Sequence, residues 1–246
     1  MQKTQVTEKA PQKIIEELEK LHCNEEGKET TYTTEIIKIN NSNSDQAHQE
    51  VYQALKERKE KCIIVGGNHA LTYSCFKAFN NRDTGLLMLD AHPDLEVTTQ
   101  TPTHEDFLRA LIEENTLQPK NIVIIGIRTW SKNEVEFLSK NKIKYFTMQK
   151  IQELGFEEVI ELAMETACTW QATYLSIDID VVDAAAAPGT GYPEPGGISA
   201  RELISAVQRI KRLKNLQRID LVEVNPEKDI QNITVKLAAK VLKEIL

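Results

Sequence analysis

The chain has 246 residues, a mass of 27.9 kDa and 41% hydrophobic side chains, enough for one large core and too little for two comfortable domains. A net charge of -7, a pI near 5.4 and no basic stripe with interleaved aromatics exclude a nucleic-acid partner, which would demand clustered Lys and Arg. Cys23, Cys62, Cys75 and Cys168 show no CxxC spacing, the first eight residues lack the apolar core of a signal peptide, and no window approaches the length of a membrane span. A reduced, cytoplasmic protein with no membrane partner is expected.

Residues 1–10 are polar and expected to fray. Pro11 then opens a helix in which Ile14, Ile15, Leu18 and Leu21 recur at helical spacing. A polar loop over 23–31 leads into an expected strand over 31–39, with Ile36, Ile37 and Ile39 as its apolar members. Beyond it the pattern predicts helix 45–59, strand 62–65, helix 71–79, strand 86–89, helix 105–114, strand 121–127 and helix 131–141. A weaker strand at 144–146 precedes a helix over 156–170, and strand 174–179, helix 200–213, strand 217–224 and helix 234–245 complete the chain. Strands alternating with helical patterns predict a three-layer α/β/α fold around a mostly parallel sheet. With no internal repeat, low-complexity tract or linker, a single domain over 1–246 is expected.

Chemistry concentrates where buried strands stop. The run Leu86 to Leu89 has the unbroken apolar character of a strand covered on both faces, yet Asp90, His92 and Asp94 follow it at alternate positions. In an extended segment alternate side chains share a direction, so two carboxylates and an imidazole would converge at the strand's carboxyl end, where ligands of open α/β sheets bind. The plainer alternative is a loop of solvated acids. A second buried strand closes in Gly66, Gly67 and then His69, which on its own fits an ordinary loop histidine. A third carries Ser176, Asp178 and Asp180 on one parity and Leu175, Ile177 and Ile179 on the other. Paired like charges at the end of a buried strand cost stability unless a cation neutralises them.

The candidates therefore supply four carboxylates, Asp90, Asp94, Asp178 and Asp180, and two imidazoles, His69 and His92. Without a cysteine this donor set is hard and oxygen-rich, which suits Mn²⁺ better than a structural zinc site. Six ligands exceed what one ion takes while keeping room for water, so two ions sharing bridging carboxylates fit the count. Such a centre generates hydroxide near neutral pH and favours a cationic substrate.

These segments together resemble the ureohydrolases, the arginase and agmatinase family. Gly66-Gly-Asn-His69 is similar to the family's GGDH segment, Asp90-Ala-His-Pro-Asp94 to its DAHxD motif, and Ser176-Ile-Asp-Ile-Asp-Val-Val-Asp183 to SxDxDxxD. The loop Pro188 to Gly197 is similar to PGTGxPEPGG, and Glu223-Val-Asn-Pro226 resembles the last motif. The resemblance implies the arginase/deacetylase-like fold and two Mn²⁺ per chain. By position His69, Asp90, Asp94 and Asp178 would hold one ion, and His92, Asp90, Asp178 and Asp180 the other. It further implies that a bridging hydroxide attacks the guanidinium carbon to give urea and an amine. Glu223 would orient the guanidinium and His104 would pass a proton to the leaving amine, where the alternative for His104 is a helix-start residue beside Thr103. A homo-oligomer, trimer or hexamer, is implied as well.

Several positions depart from the family. Asn68 and Ala70 stand where it has Asp and Ser, the stretch from Asp94 to His104 is short in the manner of the agmatinase branch, and Ala184 to Ala187 replace a DP-containing segment. The region before Gly66 is shorter too, which bears on the substrate more than on the metals. Three readings follow. The first is a manganese hydrolase of a linear guanidino compound, agmatine-like ahead of arginine-like because no binder for an α-carboxylate is evident, with formimidoyl amidines as a variant. The second is a catalytically quiet metal-binding relative, and the third a single-zinc deacetylase.

Overall fold

A computed structural model describes residues 7–79, 83–98 and 100–246. Six parallel strands form one sheet: β1 Cys62–Val65, β2 Thr84–Leu89, β3 Ile122–Ile127, β4 Lys144–Thr147, β5 Ala172–Asp178 and β6 Leu216–Val222, in the order β1-β6-β5-β2-β3-β4. The helices are α1 Ala10–Leu18, α2 Ser44–Leu55, α3 Leu71–Phe79, α4 Phe107–Glu113, α5 Lys132–Asn141, α6 Met148–Leu154, α7 Phe156–Ala167, α8 Ala200–Ile210 and α9 Ile233–Ile245.

Alternation along the strands explains the three layers. Leu87 and Leu89 of β2 enter one core with side chains of α1 and α6 to α9, whereas Leu86 and Met88 enter the other with side chains of α2 to α5. Each of these four is 0% exposed, so β2 is apolar without interruption because both of its faces are covered. Burial of such a side chain stabilises by about 1.5–3 kcal/mol, which fixes the strand tightly enough to position whatever follows it. Ser131 with Glu134, and Ser199 with Glu202, close capping boxes at the starts of α5 and α8.

β2 and β5 are neighbours, yet the chain leaves β2 towards β3 and leaves β5 towards β6. This reversal opens a crevice at the carboxyl ends of the strands, the usual ligand position in an open α/β sheet. The expected strand over 31–39 is absent: that segment is irregular, with Ile36 81% exposed, and β1 pairs with β6 alone. Isoleucine-rich composition favours a strand but cannot make one without a partner for its backbone. The expected frayed segment lies outside the described residues over 1–6, while Thr7–Lys9 is a 3-10 turn with Thr7 buried, and Ala10 begins α1. Helix α6, whose N-cap Thr147 accepts from the Lys150 amide, went unread in the sequence.

Candidate metal centre

The strand ends meet through turns rather than through pleat alternation. Past β1, the Gly66 amide donates to the Leu221 carbonyl and the Glu223 amide to that of Gly67, so the ladder runs on and carries His69 to Glu223. Past β2, the Asp90 amide donates to the Ile125 carbonyl, and the chain then bends as the His92 amide turns back to Asp90 Oδ1 at 2.6 Å. Asp94 is left-handed, with φ 54°. Extended geometry predicted one direction for Asp90, His92 and Asp94; the bend instead sends Asp94 to His69 and His92 to Asp180. β5 likewise stops at Asp178, and a 3-10 turn, Ile179–Val181, swings Asp180 round with its amide donating to Asp178 Oδ1 at 2.8 Å.

Two overlapping groups result. His69, Asp90 and Asp178 form one, Asp90, His92 and Asp180 the other, each with ligand atoms within 4.8 Å of one another and Asp90 common to both. His69 Nδ1 lies 3.1 Å from Asp90 Oδ2, 3.0 Å from Asp94 Oδ2 and 3.2 Å from Asp178 Oδ2, while His92 Nδ1 lies 3.1 Å from Asp180 Oδ2. The four acids and His69 are buried, which removes the alternative of solvated acids. One imidazole nitrogen cannot satisfy three carboxylates, and both His69 Nδ1 and Asp90 Oδ2 are buried without a hydrogen-bond partner among the described residues. Orphaned donor atoms facing one another across an acid-rich space are what a divalent cation would satisfy.

The electrostatics agree. Burial and the neighbouring Asp180 and Asp90 push the Asp178 carboxyl well above the usual carboxylate range, and burial with Asp90 takes Asp94 up to about 8. Burial opposes the charge on His92, but Asp180 and Asp90 outweigh it and raise the imidazole to about 12. Protons thus fill the place that cations would otherwise take.

Several supporting residues were missed in the sequence. Asp220, wholly buried on β6 between Ile219 and Leu221, receives hydrogen bonds from the hydroxyls of Thr72, Tyr174 and Ser176; a lone acid inside an apolar strand was the available signal. Glu134 accepts the Leu95 amide at 3.0 Å and the Ser131 amide at 2.8 Å, holding the residue after Asp94 against α5. Arg128 donates to the carbonyls of Gly126, Asp180, Val181, Val182, Glu194 and Pro195, clamping the turn that bears Asp180 to the loop over 184–197. Of the departures, Asn68 Oδ1 accepts the Ala70 amide and shapes the turn before α3, while Asp183 accepts the amides of Ala185 and Gly196 and holds the alanine run without a proline.

Glu223 stands beside the cluster, left-handed at φ 62° and 4% exposed. Its Oε1 accepts the His69 amide at 2.7 Å, whereas Oε2 is buried without a partner among the described residues. Burial raises this carboxyl to about 7. A Cβ on Gly191 would lie 3.2 Å from Oε2, so glycine leaves that oxygen room. His104 sits in the turn before α4, ahead of the helix rather than in it, its Nε2 buried and without a hydrogen-bond partner among the described residues; burial lowers its pKa.

A buried cluster of acids and imidazoles that could hold divalent cations thus lies at the switch point of a parallel three-layer sheet. The arginase family model matches residues 1–246, and the chain belongs to that family. Its curated relatives include an agmatinase of Bacillus subtilis, 31% identical over 203 residues that cover 80% of this chain and 67% of that protein. An arginase of Staphylococcus aureus is 31% identical over 242 residues, covering 92% of this chain and 78% of that one. Among solved structures, formimidoylglutamase from B. subtilis superposes with a TM-score of 0.91 at 27% identity, covering 96% of this chain and 79% of that chain. Among the described residues, no helix is long and apolar enough to cross a membrane.

Proposed function

We propose that the chain hydrolyses a C–N bond of a linear guanidino compound at a centre of two divalent cations, manganese being the ion best suited to the oxygen-rich donor set. His69, Asp94 and Asp178 would hold one ion and His92 and Asp180 the other, with Asp90 and Asp178 shared. When bound, such ions neutralise the acids and supply a water-derived nucleophile near neutral pH.

The observation that carries this reading is the unpartnered Oε2 of Glu223 next to the cluster. A buried carboxylate oxygen is costly unless donors meet it, and a planar guanidinium brings several N–H groups in a fork. Glu223 would orient that cation with its central carbon towards the acids. His104 would take up a proton and pass it to the leaving amine, a task suited to an imidazole kept neutral by burial. The net charge of -7 favours approach of a cation.

An agmatine-like substrate is preferred over arginine, since the sequence has a short stretch from Asp94 to His104 and shows no evident binder for an α-carboxylate. A formimidoyl compound is the second reading, favoured by the likeness to formimidoylglutamase. The test is a panel of guanidino and formimidoyl compounds incubated with the Mn²⁺-loaded chain, with urea and formamide both assayed. Urea from agmatine is the expected result; formamide alone would shift the reading to an amidine hydrolase, and two bound ions with no turnover would leave a quiet metal-binding relative.

A further inference from the structure

Behind His69 lies a complete polar relay in the core. Ser176 on β5 stands directly across the ladder from Asp220 on β6, and Tyr174 and Thr72 close on the same carboxylate, all four residues being 0% exposed. His69 Nε2 is 2.8 Å from Ser176 Oγ, and Ser176 Oγ donates to Asp220 Oδ1 at 2.7 Å. Tyr174 OH and Thr72 Oγ1 donate to Asp220 Oδ2 at 2.6 Å and 2.7 Å.

A serine hydroxyl has a single proton. Once that proton is committed to Asp220, Ser176 can meet the imidazole only as an acceptor, so His69 Nε2 must carry hydrogen. The lone pair of His69 then belongs on Nδ1, the buried atom that faces Asp90, Asp94 and Asp178. His92 has no comparable backing among the described residues: its Nε2 is 3.7 Å from Glu194 Oε1, near the outer rim.

We propose that Asp220 is a positioning residue which, through Ser176, holds His69 in the Nε2–H form and thereby leaves Nδ1 free to bind the cation on the His69 side. Thr72 and Tyr174 orient the Asp220 carboxylate without setting the proton on His69. The inference rests on the reading of His69 as a metal ligand. Substituting Asp220→Asn presents an N–H to Ser176, which turns the hydroxyl to donate towards the imidazole and moves the lone pair to the wrong nitrogen. Ser176→Ala removes the acceptor with no new donor, and so tests the same idea in a variant that leaves Asp220 intact.

The experiment titrates the metal-free full chain with Mn²⁺ by calorimetry and follows the bound ions by electron paramagnetic resonance. The wild-type chain should bind two ions and show an exchange-coupled pair. Ser176→Ala and Asp220→Asn should each weaken one ion about 10- to 100-fold, the usual cost of losing a ligand's outer partner, and give the spectrum of an isolated ion at concentrations that fill both wild-type sites. Thr72→Val and Tyr174→Phe should lower the Tm while keeping the coupled spectrum. Unchanged binding in Ser176→Ala and Asp220→Asn, or an equal loss in Thr72→Val and Tyr174→Phe, would overturn the relay. A wild-type chain that takes up no Mn²⁺ would overturn the ligand reading beneath it.

Discussion

The rings of His104 and Tyr192 lie nearly parallel, 26° apart in plane with centroids 5.8 Å apart, and the same tyrosine meets His92 edge-on at 6.2 Å. Tyr192 is 42% exposed, so it forms an outer wall whose inner face steadies His104. Stacked aromatic pairs are worth about 0.5–1.5 kcal/mol beyond their burial. Replacing Tyr192→Ala should therefore lower kcat about 2- to 10-fold while leaving the bound metal unchanged. Steady-state kinetics with metal analysis checks this; loss of an ion would mean that Tyr192 supports His92 instead.

Glu223→Gln keeps an oxygen for the His69 amide but removes the charge that would pair with a guanidinium. Hydrogen bonds to charged groups contribute about 1.5–3 kcal/mol, so kcat/KM should fall about 10- to 100-fold. Metal content should stay at the wild-type level. Full activity in this variant would remove the role assigned to Glu223.

Glu134→Ala leaves the Leu95 and Ser131 amides without their acceptor at a buried position. The lost cap and orphaned donors predict a destabilisation of about 1–2 kcal/mol in urea unfolding. Because Leu95 follows the left-handed Asp94, affinity for the ion on the His69 side should weaken in the same variant. An unchanged unfolding midpoint would show that the capping box carries no net stability.

Removal of metal should have a pH signature of definite sign. In the metal-free chain Asp94 and Asp178 are raised by burial and neighbouring acids, and His92 is raised by Asp180 and Asp90 against burial. Each raised group binds its proton more tightly folded than unfolded, so metal-free stability falls as pH rises, the Asp94 contribution being lost from about 4 to about 8 and that of His92 from about 6.5 towards about 12. Metal loading needs deprotonated ligands and strengthens over the same interval. The gap in Tm between loaded and chelated protein should widen from about pH 5 to about pH 8; a gap that narrows would contradict the ligand set.

Much of this arrangement is legible in the chain itself. β1 and α3 fall where the pattern places them, because a four-residue apolar run and a 3.6-residue repeat leave little choice. The acids after β2 and β5 are conspicuous since ligand-type residues directly follow buried strands. Their convergence was foreseen for a partly wrong reason: parity holds in extended backbone, while the real path uses a left-handed Asp94 and a 3-10 turn at Asp180. Arg128 was invisible as a site residue because most of the carbonyls it meets are remote in sequence, while Asp220 showed only as a lone acid in an apolar strand, its hydroxyl partners being remote. The segment over 31–39 misled for the converse reason, its composition being local and its pairing not.

The parting of the chain at β2 and β5 also divides labour within the crevice. Ligand-type side chains stand at or just past the strand ends, where the sheet fixes them, whereas Tyr192, Glu194 and His104 ride on connections that leave in different directions. Those connections can change length or residue type without moving a strand. A fold built this way can alter what its rim admits while the inner acids keep their places.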